Sequence, residues 1–312
     1  MKNKLICIAG PTASGKTALS IALAKELGGE IVSCDSMQVY RHLDIGSAKP
    51  TLSEREGIPH HMIDVCDPGE DFSVSRYCQM ATPIVEDILA RGRAAIIVGG
   101  TGLYMDALVK GNDFAPYPST GRREELEKTA KEKGIGAVIE MLKKVDPDSA
   151  NRLHPADEKR IIRAMEVYLE TGETITEHDR KTREKPPRFS PLWLGLDDEN
   201  RATLYDRIDR RVDNMLKDGL LDEIRNLLEM GIPESCTAMQ AIGYKEYLGA
   251  LRGDYPIEAA TELVKQSSRR YAKRQLTWFR KNPNIHWLIR GEGDTQEKIL
   301  FRTRQIINES DM

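Results

Sequence analysis

The chain is poor in the residues that build extracellular or metal-bound scaffolds. Its five cysteines, Cys7, Cys34, Cys66, Cys78 and Cys236, are odd in number and scattered, with no C-x-x-C. That usage argues against a disulfide frame or a zinc ribbon and reads as reduced thiols. Histidine is sparse as well, and the neighbours His60 and His61 are badly spaced to ligate one ion. No apolar run approaches the length of a membrane span. The N-terminus lacks a charged-then-apolar leader, because the apolar stretch from Leu5 to Ala9 is only a strand's length. These absences lead to the expectation of a cytoplasmic protein with no membrane partner, and a monomer is the simplest state. An excess of one charge is also missing. The net charge of −3 excludes a uniformly basic coat, but not a local basic face for nucleic acid.

What is present begins at Gly10. The stretch Gly10-Pro11-Thr12-Ala13-Ser14-Gly15-Lys16-Thr17 matches the phosphate-loop pattern G-x-x-x-x-G-K-[ST] at every fixed position. It lies between the apolar run 5–9 and an alanine- and leucine-rich helical stretch from Ala18 to Leu27, the context the pattern requires. Glycines let backbone N–H groups turn inward around an oxyanion, and the helix N-terminus adds partial positive charge. Lys16 adds a full charge, and the Thr17 hydroxyl can reach Mg2+. An ordinary glycine turn with a surface lysine does not account for all these matches in this setting. Which polyphosphate the loop holds is left open.

Strand and helix signals alternate around that loop. Glu30 to Cys34 reads as a second strand ending in Asp35-Ser36, residues 61–65 as a third, and 73–91 as a helix. Ala94 to Val98 is a buried strand closed by Gly99-Gly100-Thr101-Gly102. The alternation implies an α/β fold, a doubly wound parallel sheet of the P-loop NTPase type. Ligands in such sheets sit beyond the carboxyl ends of the strands, so the loop, Asp35 and Thr101 should share one crevice.

From residue 113 the pattern changes. Asn112 to Ser119 carries two prolines, then helical periodicity runs to Gly172, with starts at Ser119/Thr120 and Asp146-Pro147 and stops at Gly134 and Gly172. Residues 180–187 read as a polar linker, and Leu192 to Leu196 as a returning strand. Residues 113–187 are therefore expected to be a helical insertion domain, and 1–112 with 188–312 the catalytic core. The insertion falls where kinase-like folds carry a lid. The remainder of the chain reads as helical. Within it, residues 263–290 contain no acid but hold Lys265, Arg269, Arg270, Lys273, Arg274, Arg280, Lys281 and Arg290, interleaved with Tyr271, Trp278, Phe279 and Trp287. Solvated helix faces usually mix signs, so this segment reads as RNA- or phosphate-facing.

The crevice residues carry the chemistry. No acid closes the strand at 94–98, and Asp64 lies inside its expected strand, which weakens an ATP-hydrolysis reading without excluding it. Asp35 could take a proton from a nucleophile while the loop holds the departing phosphates, or could simply cap its turn. Thr101, among three glycines, could approach an anion or cap a turn. Arg207 and Arg211, four apart, could clamp a diphosphate or pair with Asp206 and Asp209.

Taken together, these stretches closely resemble the tRNA dimethylallyltransferase family, the isopentenyl transferases that modify the adenosine 3′ of the anticodon. The resemblance rests on the phosphate loop 10–17, Asp-Ser-Met-Gln-Val-Tyr (35–40), Asp-Ile-Gly-Ser-Ala-Lys-Pro (44–50) and Val-Gly-Gly-Thr-Gly-Leu-Tyr (98–104). It extends to Ala-Met-Gln-Ala-Ile-Gly-Tyr-Lys-Glu (238–246) and Tyr-Ala-Lys-Arg-Gln-Leu-Thr-Trp-Phe-Arg (271–280). Ser47 departs from the threonine common there. The resemblance implies that the loop holds dimethylallyl diphosphate, and that the exocyclic amine of adenine attacks the allylic carbon. It makes Asp35 the general base. Lys16, Thr17 with Mg2+, Thr101 and one of Arg207 and Arg211 would neutralise the leaving diphosphate. The tRNA anticodon stem-loop is the implied partner, with its adenine flipped against Asp35, Ser36, Met37, Gln38 and Thr101. Further RNA contacts would come from Arg122 or Arg123 with Lys159, Arg160 and Arg163 of the insertion, on a helix burying Ile161, Met165 and Tyr168. Gln240, Gly243, Tyr244 and Lys245 would add others, as would Lys273, Arg274 and Arg280. Rivals are a P-loop small-molecule kinase, an adenylate isopentenyltransferase acting on free nucleotide, and an RNA-binding protein whose loop only senses a nucleotide.

Overall fold

In the computed structural model, residues 5–112 and 120–310 are described. The proline-bearing stretch 113–119, with its expected helix start at Ser119, lies outside them. Six parallel strands form one sheet in the order β3-β2-β4-β1-β5-β6. They are β1 (Leu5–Ala9), β2 (Glu30–Ser33), β3 (His60–His61), β4 (Ala95–Gly99), β5 (Leu192–Asp198) and β6 (Ile285–Arg290).

The central strands are apolar throughout because helices cover both faces of the sheet. Side chains alternate along β1: Ile6 and Ile8 pack with Leu19 of α1 (Lys16–Leu27) and with Ile299 and Ile307 near the C-terminus. Leu5, Cys7 and Ala9 face the other way, into the core that holds Tyr77, Val212, Tyr244, Tyr247 and Phe279. All five cysteines are free thiols. Among the described residues, no helix is long and apolar enough to cross a membrane.

Three local expectations fail. The segment 61–65 is not a strand, because β3 stops at His61. Met62 and Asp64 adopt positive φ, and the amides of Asp64, Val65 and Cys66 donate to Gln38 and Val39 carbonyls instead. The C-terminal part is not all helix. The helix Ile257–Phe279 ends before Asn282-Pro283-Asn284, and β6 then pairs with β5 from Trp193↔Ile285 to Asp198↔Arg290. Nor is 180–187 all linker, since the helix Ile175–Glu184 runs into it. That helix is started by a Thr174–Glu177 capping box, a signal visible in the sequence.

The chain divides into two compact units, Met1–Val109 with Phe189–Met312, and Lys110–Arg188. The second has its own core of Leu126, Val138, Leu142, Ile161 and Met165, with Tyr168 packed against it. Its first helix, Arg122–Lys133, starts at Gly121, while Thr120 donates its hydroxyl to Glu170. Gly134 and Gly172 do end helices, the latter in the left-handed conformation. Asp146 caps the turn at Pro147 by accepting from the Ser149 amide, and it also accepts from Thr176.

Candidate active site

The carboxyl ends of β1, β2 and β4 open on a cavity of about 330 Å3. Further α-helices close it: α9 (Arg201–Lys217), α11 (Tyr244–Leu251) and α12 (Ile257–Phe279). Thr12, Lys16 and Thr17 line it from the phosphate loop, and Asp35 is the only acid among its described lining residues. Gly15 and Ala13 take positive φ as the loop curls toward the α1 N-terminus. Gly10 and Pro11 are buried beneath that curl. Ser14 is buried behind the loop with its hydroxyl unpartnered.

Lys16 reaches back across its own loop, Nζ donating to the Pro11 carbonyl at 2.6 Å. Burial, followed by the nearby Arg211 guanidinium, pushes its pKa down to about 7, against the pull of Asp35. Arg211 is likewise depressed by burial and opposed by Asp35. The geometry separates the two arginines. Arg211 lines the cavity. Arg207 instead donates from Nε to the Ala13 carbonyl at 3.0 Å and pairs with Asp198, so it braces the loop from behind.

Asp35 stands two residues past the end of β2 with one carboxylate oxygen fixed. Oδ1 accepts from the amides of Met37 at 2.8 Å and Gln38 at 3.3 Å. Turn capping and cavity lining are thus combined in one residue. Thr101 sits beside it, accepting from the Ser36 amide at 3.1 Å, although it is not among the lining residues. Tyr271 reaches the Thr101 and Gln275 side chains, and burial, then Asp35, raises its pKa to about 12. Ser36, Met37 and Gln38 line the cavity, with Gln38 held by Ser33, Ser47 and Ala48.

Two sequence motifs prove to be one structural unit. The Glu223 carboxylate accepts from the amides of Asp44, Ile45 and Gly46 at 2.7–3.0 Å and from the Tyr244 hydroxyl at 2.6 Å. Gly46 admits no side chain, because a Cβ would stand 2.4 Å from the Tyr244 ring. Lys49, buried nearby, bonds Asp44 and Asp64, which explains why Asp64 is turned away from the cavity. Tyr244 and Gly243 are buried yet line the cavity; Gln240 lines it from the surface, and Lys245 is exposed. Glu223 did not stand out in the sequence, and Gln275 lay within the 271–280 stretch with no role of its own assigned: each acts on a segment far away in the chain.

The basic run is partly neutralised by acids from other elements. Arg269 pairs with Asp209, Lys265 with Asp213 and Arg280 with Asp197. Arg270, Lys273 and Arg274 stay exposed, and Arg274 lies over the Tyr271 ring at the cavity wall. In the second unit, Arg123, Lys159, Arg160 and Arg163 line a separate basic cavity of about 390 Å3. Glu166, buried there, bonds Arg163 at 3.0 Å and lies 3.9 Å from Arg123.

A family model described as IPP transferase matches residues 38–282. A tRNA dimethylallyltransferase of Acetivibrio thermocellus is 46% identical over 301 residues, covering 96% of each chain. The crystal structure of a tRNA isopentenylpyrophosphate transferase from Bacillus halodurans superposes with TM-score 0.72 at 42% identity, covering 99% of this chain and 98% of that one. A eukaryotic dimethylallyltransferase caught acting on tRNA gives TM-score 0.80 at 30% identity, covering 98% of this chain and 79% of its own. With a phosphate loop and a lone carboxylate facing one cavity, and likeness along nearly its whole length, the chain belongs to the IPP transferase family of tRNA dimethylallyltransferases.

Proposed function

We propose that the protein transfers a dimethylallyl group from dimethylallyl diphosphate to N6 of the adenosine 3′ of the anticodon in tRNA, releasing diphosphate. The observation that carries this reading is the single cavity where the phosphate loop, Arg211 and Asp35 meet. Its cationic end suits a diphosphate. Its one acid suits the removal of a single proton.

N6 attacks the allylic carbon, the carbon–oxygen bond to diphosphate breaks, and Asp35 takes the N6 proton on the oxygen not engaged by Met37 and Gln38. Lys16, Arg211 and the loop amides neutralise the departing charge. Thr101 and Arg207 act through neighbours, Thr101 by orienting Ser36 beside the base and Arg207 by bracing Ala13. An exocyclic adenine amine is a weak nucleophile, so alignment and leaving-group stabilisation outweigh base strength.

Mg2+ fits the donor set. Thr17 lines the cavity and carries a hydroxyl, and a hard cation that draws most of its oxygens from phosphate and water needs few protein ligands. Thr17 would hold it, and the ion would supply further charge at the diphosphate. Exposed Lys273 and Arg274 would contact the anticodon stem-loop, with Arg280 and Lys245 beside them. Gln240, Gly243 and Tyr244 would shape the entry of the flipped base. The Arg123, Lys159, Arg160 and Arg163 cluster would grip RNA through the insertion. A tRNA acceptor would put the reaction in the cytoplasm.

Labelled dimethylallyl diphosphate offered with unmodified tRNA, with AMP, or with ATP and a small acceptor tests the proposal. Label is expected in tRNA alone. Prenylated AMP, or phosphate transfer from ATP, would establish one of the rival activities.

A further inference from the structure

We propose that Gln275 is a positioning residue for this reaction: its amide clamps the phosphate loop to the turn that carries Thr101. The residue is 5% exposed. Its Oε1 accepts from the Thr12 amide at 2.9 Å, and its Nε2 donates to the Gly100 carbonyl at 3.0 Å. Thr12 follows β1 and Gly100 follows β4, neighbouring strands whose ends carry the diphosphate-binding loop and the base-binding turn. One partner offers only an N–H and the other only a carbonyl, so the amide has one satisfied orientation.

The fit is tight. A Cβ on Gly100 would stand 2.0 Å from Nε2, while the next atom outside Gln275 is 3.7 Å away. Gly100 is therefore bare because of this side chain. Tyr271, one turn earlier on α12, reaches both Thr101 and Gln275. Helix α12 does not depend on the amide for its seat, because Ala272, Leu276 and Phe279 anchor it in apolar cores. What the amide adds is register between two loops, and alignment of reacting atoms is sensitive to shifts of about 1 Å.

The role rests on the activity proposed above, and the test separates the two. Gln275→Met keeps the length and fills the space without the hydrogen bonds. It is expected to melt only a few degrees below the wild type, the cost of two backbone groups losing a partner, and to bind tRNA within about two-fold, but to turn over on the order of 10²-fold more slowly. Its affinity for inorganic diphosphate, which does not depend on the group transferred, should fall about ten-fold. Gly100→Ala alone should be slow because the methyl evicts the amide. Gly100→Ala with Gln275→Ala removes that clash yet should stay slow. Wild-type turnover and diphosphate affinity in Gln275→Met, or recovery of both in the double variant, would overturn the clamp and leave Gln275 a space filler. A loss of melting temperature beyond those few degrees, with a parallel loss of tRNA affinity, would also overturn it, as a general structural role. If the wild type transfers nothing to tRNA while Gln275→Met still loses diphosphate affinity, the activity fails and the clamp stands.

Discussion

Burial and Arg211 hold the Lys16 pKa at about 7, so near neutrality the loop of the free protein carries an ammonium only about half protonated. An arriving diphosphate favours the charged form and lifts that pKa back toward its ordinary value. A lysine depressed in the free protein and restored in the complex takes up a proton on binding between pH of about 7 and about 10. Calorimetry of diphosphate binding at about pH 8.5 in two buffers of different ionisation enthalpy is expected to show that uptake, and Lys16→Met to abolish it. Equal heats in both buffers for the wild type would remove Lys16 as the titrating group. Asp35 is tested by kinetics instead. Asp35→Ala is expected to slow single-turnover transfer by about 10²- to 10⁴-fold with tRNA affinity within about three-fold. Because Oδ1 also caps the 35–38 turn, Asp35→Asn provides the companion variant: it keeps an acceptor for that turn but cannot take the proton. Asp35→Asn turning over like the wild type would contradict the base assignment.

At the level of elements, α12 has two working faces. Tyr271 and Gln275 point to the loops of the cavity, while Lys273 and Arg274 are exposed. Replacing Lys273 and Arg274 by alanine is expected to weaken tRNA binding and to lower the slope of log affinity against log salt by about 0.7–0.9 for each phosphate no longer neutralised. An unchanged slope would show that this face does not meet RNA. The strand, phosphate loop and helix from Leu5 to Leu27 were legible because the signals are local: an apolar run, a fixed glycine pattern, then helix formers. Asp35 and Thr101 were legible for the same reason, each standing just past a buried strand. Gln275 and Glu223 were not, since their partners lie far off in the chain and only the fold brings them together. The basic run looked like an uninterrupted RNA face because its acids, Asp197, Asp209 and Asp213, belong to β5 and α9. Strand β6 escaped because its two buried positions, Ile285 and Leu288, are three apart and face opposite cores, so the segment shows neither a continuous apolar run nor a period-two alternation. Its Asn282-Pro283-Asn284 break was the available signal.

For the whole molecule, likeness to tRNA dimethylallyltransferases runs through both compact units rather than the phosphate loop alone. A donor of this size needs only the core cavity, whereas the second unit adds an arginine- and lysine-lined cavity of its own. The central claim is that one chain brings a diphosphate-bound five-carbon donor and an RNA adenine into the same crevice. Mass spectrometry of an initially unmodified tRNA, digested both to oligonucleotides for position and to nucleosides for the modified atom after incubation with the protein, dimethylallyl diphosphate and Mg2+, tests it most directly. The account predicts a five-carbon chain on N6 of the single adenosine 3′ of the anticodon, with one diphosphate released per adduct. Adducts spread over other adenosines, or none on RNA while the donor is consumed, would contradict it.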